Sequence, residues 1–232
     1  KNDMSLLMRG ATEGLEENRT ALVGGHTNEA EEINIGFSAY GEVVEQALIR
    51  KTGAVEGDSI ILTRPLGSGV LFAGVMKGLT KGRWISTVLK EMVQSNANAS
   101  NIFSQFGATS LTDITGFGLV GHLSEMIQGS EEGATIFLEK LPFYDGALPL
   151  AKLGIESTLK PENIKINHIA TDKIKASTKY QVCFDPQTAG GLLATVSAQA
   201  ADACLNNLIE AGYTEAAIIG QISSVSGELR IC

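Results

Sequence analysis

Short apolar runs alternate along this chain with longer segments of helical periodicity, without a strict strand–helix–strand order. Residues 59–63, 192–196 and 217–222 are the clearest predicted strands, because each is a short apolar run bounded by turn residues. Residues 119–128 and 198–210 repeat their apolar side chains at helical spacing and predict helices. The mixture predicts a layered α/β or α+β fold.

The N-terminal part has its own pattern. Apolar residues at helical spacing predict an amphipathic helix over 1–17. Strands are predicted at 20–23 and at 33–39, the second from apolar residues that alternate with polar or small ones. A boundary near residue 50 gives expected domains 1–50 and 51–232. The remaining predictions are helices at 70–76, 84–94 and 97–106, strands at 108–114 and 134–138, and loops with short helices across 142–180.

Charge and composition exclude several classes of function. The 18 basic and 26 acidic residues give a net charge of −8, which disfavours a nucleic-acid-binding surface. A nucleotide ligand is still allowed, because a bound cation lets carboxylates and phosphates share one site. No apolar stretch approaches the roughly 18 residues that span a bilayer, and the N-terminus lacks signal-peptide features, so no membrane partner is expected. The chain opens on Lys1, and we expect the natural start upstream.

The three cysteines indicate a reducing compartment. Cys183, Cys204 and Cys232 are odd in number and form no CxxC motif, so a disulfide framework and a zinc site are both disfavoured. Free thiols of this kind are typical of cytoplasmic proteins. Each cysteine is expected to be a small buried apolar side chain.

Three segments contain glycines next to polar residues, at 23–27, 112–118 and 185–191. None matches the common phosphate-binding or dinucleotide-binding motifs. In the first segment, Gly24 and Gly25 would let backbone N–H groups approach phosphate oxygens, and His26 adds a side-chain donor. The alternative is a loop that needs glycine conformations, and the residues alone favour that alternative.

The second segment places Asp113 at the end of a predicted strand, where a carboxylate could bind Mg²⁺. The alternative is that Asp113 or Thr115 caps the helix that follows, and the residues alone favour the cap. His122 is predicted to be a packed histidine.

Two further polar regions carry weaker signals. In the third glycine segment, Asp185 could be a ligand, but aspartates at turns more often hydrogen-bond their own backbone, and we expect that role here. His168 and the lysine-rich run 173–179 are predicted to lie on the solvated surface.

Four phrases occur in order along the chain: ALVGGHT at 21–27, GDSIILTRPLGSGV at 57–70, TDITGFGLVGHLSEM at 112–126 and DPQTAGGLL at 185–193. Together with AAIIGQI at 216–222, they resemble the selenophosphate synthetases, or selenide, water dikinases. These enzymes belong to the superfamily of aminoimidazole ribonucleotide synthetase. The resemblance covers essentially the whole chain.

The resemblance implies an enzyme that converts ATP, selenide and water into selenophosphate, AMP and phosphate. It implies an N-terminal α/β domain that pairs across a homodimer, a C-terminal α/β domain, and ATP with Mg²⁺ between them. The chain would hold part of the first domain and all of the second. By position, Asp113 matches a metal ligand of the family, and Gly24, Gly25 and His26 match a nucleotide-contacting segment that serves the partner's ATP. Residues 33–40 would lie at the dimer interface.

The chain departs from the family in one respect. The family's catalytic cysteine or selenocysteine and the adjacent lysine lie in an N-terminal segment that these residues do not match, so no catalytic residue is assigned. We therefore expect the fragment to be inactive alone. The alternatives are a non-catalytic module that binds a nucleotide or a partner, and another ATP-dependent member of the superfamily.

Overall fold

A computed structural model describes residues 2–45 and 48–232 of the chain. The chain divides into two units, Lys1–Leu48 and Ile49–Cys232, which are called the first and the second unit below. None of the helices in the described ranges is long and apolar enough to cross a bilayer.

The first unit contains helix α1 (Asn2–Glu17), which confirms the predicted helix. No residue of α1 is buried. The strands predicted at 20–23 and 33–39 are wrong, since both segments are irregular. Alternation of apolar residues makes a strand only where a neighbouring strand pairs with the backbone, and the described part of the chain supplies no such neighbour here.

The second unit is built on one six-stranded sheet in the order β2-β4-β1-β5-β3-β6. The strands are β1 (Ser59–Leu62), β2 (Ser110–Asp113), β3 (Gly133–Ile136), β4 (Leu192–Val196), β5 (Ala217–Ser223) and β6 (Leu229–Ile231). All neighbours are antiparallel except β3 and β6. The sheet confirms the mixed α/β class, and β6 is a short strand that the sequence did not predict.

Helices cover both faces of this sheet. They are α2 (Ser68–Met76), α3 (Gly82–Met92), α4 (Ala97–Gln105), α5 (Gly118–Ser130), α6 (Ala147–Lys152), α7 (Lys160–Asn163), α8 (Asp172–Lys175), α9 (Thr178–Val182) and α10 (Ala198–Glu210), with a 3-10 helix at Leu138–Lys140. The predicted helices and the short helices expected across 142–180 are thus confirmed. Their apolar sides bury the sheet, as a layered fold requires.

Strand β1 shows how the two layers are filled. Ile60 and Leu62 point into the larger core, which includes residues of α2, α3, α5, α6 and α9. Ile61 points to the other side, where it meets α4 and α10 through Phe103 and Leu208. Successive side chains of a strand face opposite sides, so a continuous apolar run is buried between two helical layers. Because β1 is buried on both faces, its C-terminal end at Leu62 has a fixed position, and the polar loop that follows starts from there.

Candidate functional site

Three loops of the second unit meet at one edge of the sheet. Strands β1 and β2 both run antiparallel to β4, so they run parallel to each other and end at the same edge, where β4 begins. The loops are 63–67 after β1, 114–117 after β2 and 185–191 before β4. Two of the three glycine segments singled out in the sequence are therefore neighbours.

The side chain of Gln187 joins the first loop to the third. Its Oε1 accepts hydrogen bonds from the backbone N–H of Gly67 at 2.8 Å and of Ser68 at 3.2 Å. Its Nε2 donates to the carbonyl oxygen of Asp185 at 2.8 Å. The N–H of Thr188 donates in turn to Oγ of Ser68 at 2.9 Å. Because Gln187 is buried, these bonds have no competition from water.

Main-chain bonds join the second loop to the third. The N–H of Ile114 donates to the carbonyl of Gly191 at 2.9 Å, and the N–H of Gln187 donates to the carbonyl of Thr115 at 2.9 Å. A Cβ placed on Gly190 would lie 2.0 Å from the carbonyl oxygen of Ile114, so only glycine fits there. The three loops therefore form one interlocked group.

Asp113 is the last residue of β2, and its side chain is exposed at the edge of this group. The described ranges provide no hydrogen bond or ion pair for its carboxylate. Helix α5 has Phe117 at its N-cap position and no side-chain cap bond, so the predicted cap by Asp113 or Thr115 is wrong. A capping side chain must sit next to the first turn, and both residues lie too far upstream. The Asp113 carboxylate is left available to a cation.

His122 is packed, as predicted, and it supports the loop beside Asp113. Its Nε2 accepts a hydrogen bond from the backbone N–H of Thr115 at 3.0 Å. Burial lowers the pKa of His122, while the carboxylates of Asp113 and Glu125 act in the opposite direction. The neutral ring with its proton on Nδ1 is the form that can accept this bond.

Asp185 does not bond its own backbone, and that prediction is wrong. Its carboxylate is completely buried and accepts hydrogen bonds from the N–H of Ser157 at 2.8 Å and from its Oγ at 2.7 Å. Burial raises the pKa of Asp185, and the bonds from Ser157 oppose that rise. The carboxylate thus joins the segment before α7 to the third loop. Its partner, Ser157, is distant in sequence, so no local sequence pattern could predict this contact.

Gly24, Gly25 and His26 lie in the first unit, whereas Asp113 lies in the second. The three residues are exposed and line a hollow of about 550 Å³, together with Met8 of α1 and Phe37. No atom of residues 2–45 or 48–232 lies within 4 Å of a Cβ built on either glycine, so these residues leave the backbone of this bend open to a ligand.

Arg64 is a site residue that sequence reasoning missed. The side chain is 3% exposed, and its guanidinium donates to the carbonyl oxygens of Ala189 at 2.9 Å and Gly190 at 3.3 Å. A third bond reaches the carbonyl of Gln94. The available signal was an arginine inside an otherwise apolar phrase, between β1 and Pro65.

The two polar regions that were predicted to be solvated have different outcomes. His168 is half-buried, so that prediction is wrong, and its Nε2 lies 2.6 Å from the hydroxyl of Tyr180. The aromatic ring of Phe184 packs against it, which a sequence without contacts could not show. In the lysine-rich run, Lys173 and Lys175 are exposed as predicted, and Lys179 pairs with Glu139 at 2.6 Å.

The cysteines are free thiols in the structure. Cys183 and Cys204 are buried as predicted, and burial raises their pKa to about 12 and about 11. Cys232 is exposed, so the expectation of burial was wrong there, because the residue follows the last residue of β6. A buried thiol with a raised pKa is a poor nucleophile at neutral pH.

Comparison with known families decides the classification. The family described as AIR synthase related protein, C-terminal domain, matches residues 55–231. The chain belongs to the AIR synthase related family. It is 32% identical over 229 residues to the selenide, water dikinase of Clostridioides difficile (strain 630). It is 34% identical over 221 residues to the protein of that name from Campylobacter jejuni (strain NCTC 11168).

The family match also bears on completeness and on the fold. The alignments cover 95% of this chain but only 65% and 64% of the two relatives, so the chain spans less than two thirds of their length. A solved structure of hydrogenase maturation protein HypE in complex with ATP matches with a TM-score of 0.55 and 18% identity. That match covers 82% of this chain and 52% of HypE, and it shows the AIR synthase-like fold.

The chain offers a limited set of metal ligands. Within residues 2–45 and 48–232, no group of three or more His, Cys, Asp or Glu side chains is arranged to hold an ion. Mg²⁺ commonly binds through one or two carboxylates and completes its shell with substrate phosphates and water. The exposed carboxylate of Asp113 is suited to be one such carboxylate ligand.

Proposed function

We propose that this chain is the C-terminal portion of a selenide, water dikinase, which forms selenophosphate, AMP and phosphate from ATP, selenide and water. The observation that carries the proposal is the carboxylate of Asp113, exposed and unpaired within the described ranges, on a loop that hydrogen bonds hold rigidly in place. The 32–34% identity to proteins of that name supports the choice of reaction.

The proposed role of Asp113 is to ligate Mg²⁺ on the ATP phosphates. Phosphoryl transfer depends on positioning and on neutralising charge more than on covalent chemistry of the protein, and a bound Mg²⁺ supplies that neutralisation. His122 fixes the backbone at Thr115, two residues from the carboxylate. The loop therefore presents Asp113 without a rearrangement when nucleotide arrives, which is how a preorganised site lowers a barrier.

The proposed role of Gly24, Gly25 and His26 is contact with nucleotide phosphates through backbone N–H groups and the imidazole. The open backbone and the adjoining hollow support this role. We further propose that the protein is a homodimer in which this bend serves the partner's ATP. The apolar side chains of residues 33–40 include Phe37, which is 59% exposed, and they would be covered at that interface.

The catalytic nucleophile is proposed to lie outside these residues. Cys183 and Cys204 are buried with raised pKa values, which supports a structural role for both. We therefore expect residues 1–232 alone to give no turnover. Free, unpaired cysteines also support a cytoplasmic site of action.

The test uses the full-length gene product and measures AMP formed from ATP with and without selenide. Asp113→Asn should lower the selenide-dependent rate by at least about a hundredfold. Loss of a residue that only hydrogen-bonds to a metal ligand lowers activity by up to about a hundredfold, and loss of the ligand itself should lower it at least as much. Asp202→Asn is the matched control, since Asp202 is an exposed aspartate on α10.

Three outcomes would contradict the proposal. Full activity in the Asp113→Asn variant would remove the metal assignment. AMP formation that ignores selenide would instead point to another ATP-dependent member of the family. Turnover by residues 1–232 alone would place the nucleophile within this chain.

A further inference from the structure

Arg64 is a buried cation without a carboxylate partner. Among the residues that the structure describes, its guanidinium bonds only to carbonyl oxygens, of Ala189, Gly190 and Gln94. Its Nε is buried and has no hydrogen-bond partner in the same part of the chain. Within the ranges that the structure describes, no acidic group lies within 4.0 Å of it. Buried charges are normally paired, so this arrangement calls for an anion that the chain itself does not supply.

Arg64 lines a pocket of about 660 Å³ in the second unit. Thr87 and Lys90 of α3 form one wall, and the turn 212–215 after α10 forms another. Tyr213 holds that turn in place, because its hydroxyl donates to the carbonyl of Ser95 at 2.7 Å and accepts from the N–H of Ala99. The pocket thus has fixed walls, one buried guanidinium and one exposed ammonium group.

Two carboxylates also line the pocket, and neither neutralises Arg64 by direct contact. Burial raises the pKa of Tyr144, and the neighbouring carboxylate of Glu91, to which the Tyr144 hydroxyl donates, raises it further. Glu215 is exposed on the rim, where solvent screens its charge. Lys90 forms no ion pair with any residue of the described part of the chain, so its ammonium group is available to a ligand.

We propose that this pocket binds an oxyanion of the phosphate class, held by the guanidinium of Arg64 and the ammonium of Lys90. The hydroxyl of Thr87 is not a donor to this anion, because it already donates to the carbonyl oxygen of Arg83 at 3.2 Å. Guanidinium groups favour such anions because their planar donors match two oxygens at once. The pocket is larger than one phosphate ion, so the same chemistry also admits a phosphate monoester such as AMP.

The site would communicate with the interlocked loops. Arg64 holds the carbonyls of Ala189 and Gly190, and Gly191 bonds the backbone of Ile114 next to Asp113. An anion that draws on the guanidinium would weaken or redirect those bonds. The proposal stands apart from the proposed function, since it needs only the second unit and no catalysis.

The test titrates inorganic phosphate, and separately AMP, into residues 1–232 at constant ionic strength, with chloride as the blank. Isothermal calorimetry gives the affinity, and the ¹⁵N–¹H resonance of the Arg64 Nε, assigned by its loss in Arg64→Lys, gives the location. We expect saturable binding that shifts this resonance. Lys90→Gln should weaken the affinity about tenfold, the range for one charge-assisted bond.

Two variants keep the result interpretable if an Arg64 variant fails to fold. Lys90 and Lys152 are both exposed helical lysines, so Lys90→Gln and the control Lys152→Gln should both fold, and the control should bind like wild type. Saturation by phosphate identifies the free ion as ligand, and saturation by AMP alone identifies the monoester.

The proposal is overturned if neither ligand saturates at 20 mM, roughly the weakest affinity of a site with two cationic donors. It is also overturned if the Lys90→Gln and Lys152→Gln variants bind equally well, or if the Arg64 Nε resonance stays fixed at saturation.

Discussion

The two units carry similar apolar residues but use them differently. In the second unit, Ile60 and Ile61 are completely buried between strands and helices. In the first, Val23 is 92% and Tyr40 94% exposed, and α1 buries none of its residues. The difference teaches that an apolar pattern gives a core only when a second surface is there to cover it. The exposed side chains of the first unit are therefore those to examine for a partner.

Paired phenylalanine variants give the largest expected contrast. Phe103→Ala empties a fully buried site between α4 and α10 and should lower the free energy of unfolding by about 3–5 kcal/mol. Phe37→Ala should change it by less than about 0.5 kcal/mol, because the side chain is already in solvent. Urea unfolding of residues 1–232, followed by circular dichroism and by Trp84 fluorescence, measures both. Equal losses would mean that Phe37 is covered in solution, and the contrast would fail.

Paired glycine variants sharpen the comparison at the level of the backbone. Gly190→Ala should cost about 1–3 kcal/mol, because its new Cβ would overlap the carbonyl of Ile114. Gly24→Ala should leave stability unchanged, since nothing lies within 4 Å of that position. The same urea experiment applies. A destabilised Gly24→Ala variant would show that the bend is packed against something in solution.

A pair of histidines gives the smallest expected effect. Burial lowers the pKa of His122 below its ordinary value of 6.5, so the unfolded chain binds more protons than the folded one below that pH. His122 should therefore make the protein less stable as pH falls from 6.5, with a slope of at most about 1.4 kcal/mol per pH unit.

His122→Gln should remove that slope while its side-chain oxygen can still accept from Thr115. His26→Gln, in the exposed bend of the first unit, is the matched control for the loss of a histidine side chain. Thermal melts between pH 5 and 7.5 measure all three proteins. An unchanged slope in His122→Gln would assign the pH dependence to other groups.

Local pattern was enough to predict most of the second unit. Strands β1, β4 and β5 and helices α5 and α10 follow from apolar spacing and turn residues, because each buries the face that its pattern marks. The pattern at 33–39 is just as regular and was wrong as a strand, since pairing depends on a partner strand that the pattern does not contain. The three-residue strand β6 is too short for any period to show.

The candidate site was predictable only in part. Asp113 was proposed as a metal ligand from its place at a strand end and from family resemblance, and that role stays a prediction, although the structure removed the competing cap. Gln187 and Arg64 were not found, because their roles rest on contacts with residues about 30 to 120 positions away. The partner of Asp185, at Ser157, is another such contact. The spacing of residues within one helix or strand carries no information about these contacts between loops.

The position of β1 has a consequence for synthesis of the protein. β1 is the first strand of the second unit, yet Ser59 pairs with Val196 on one side and Gln221 on the other. The ribosome releases β1 long before β4 and β5. The apolar residues of β1 therefore stay exposed while most of the second unit is translated. During that interval β1 is a segment that molecular chaperones would shield, and the sheet can close only after β4 and β5 have been translated.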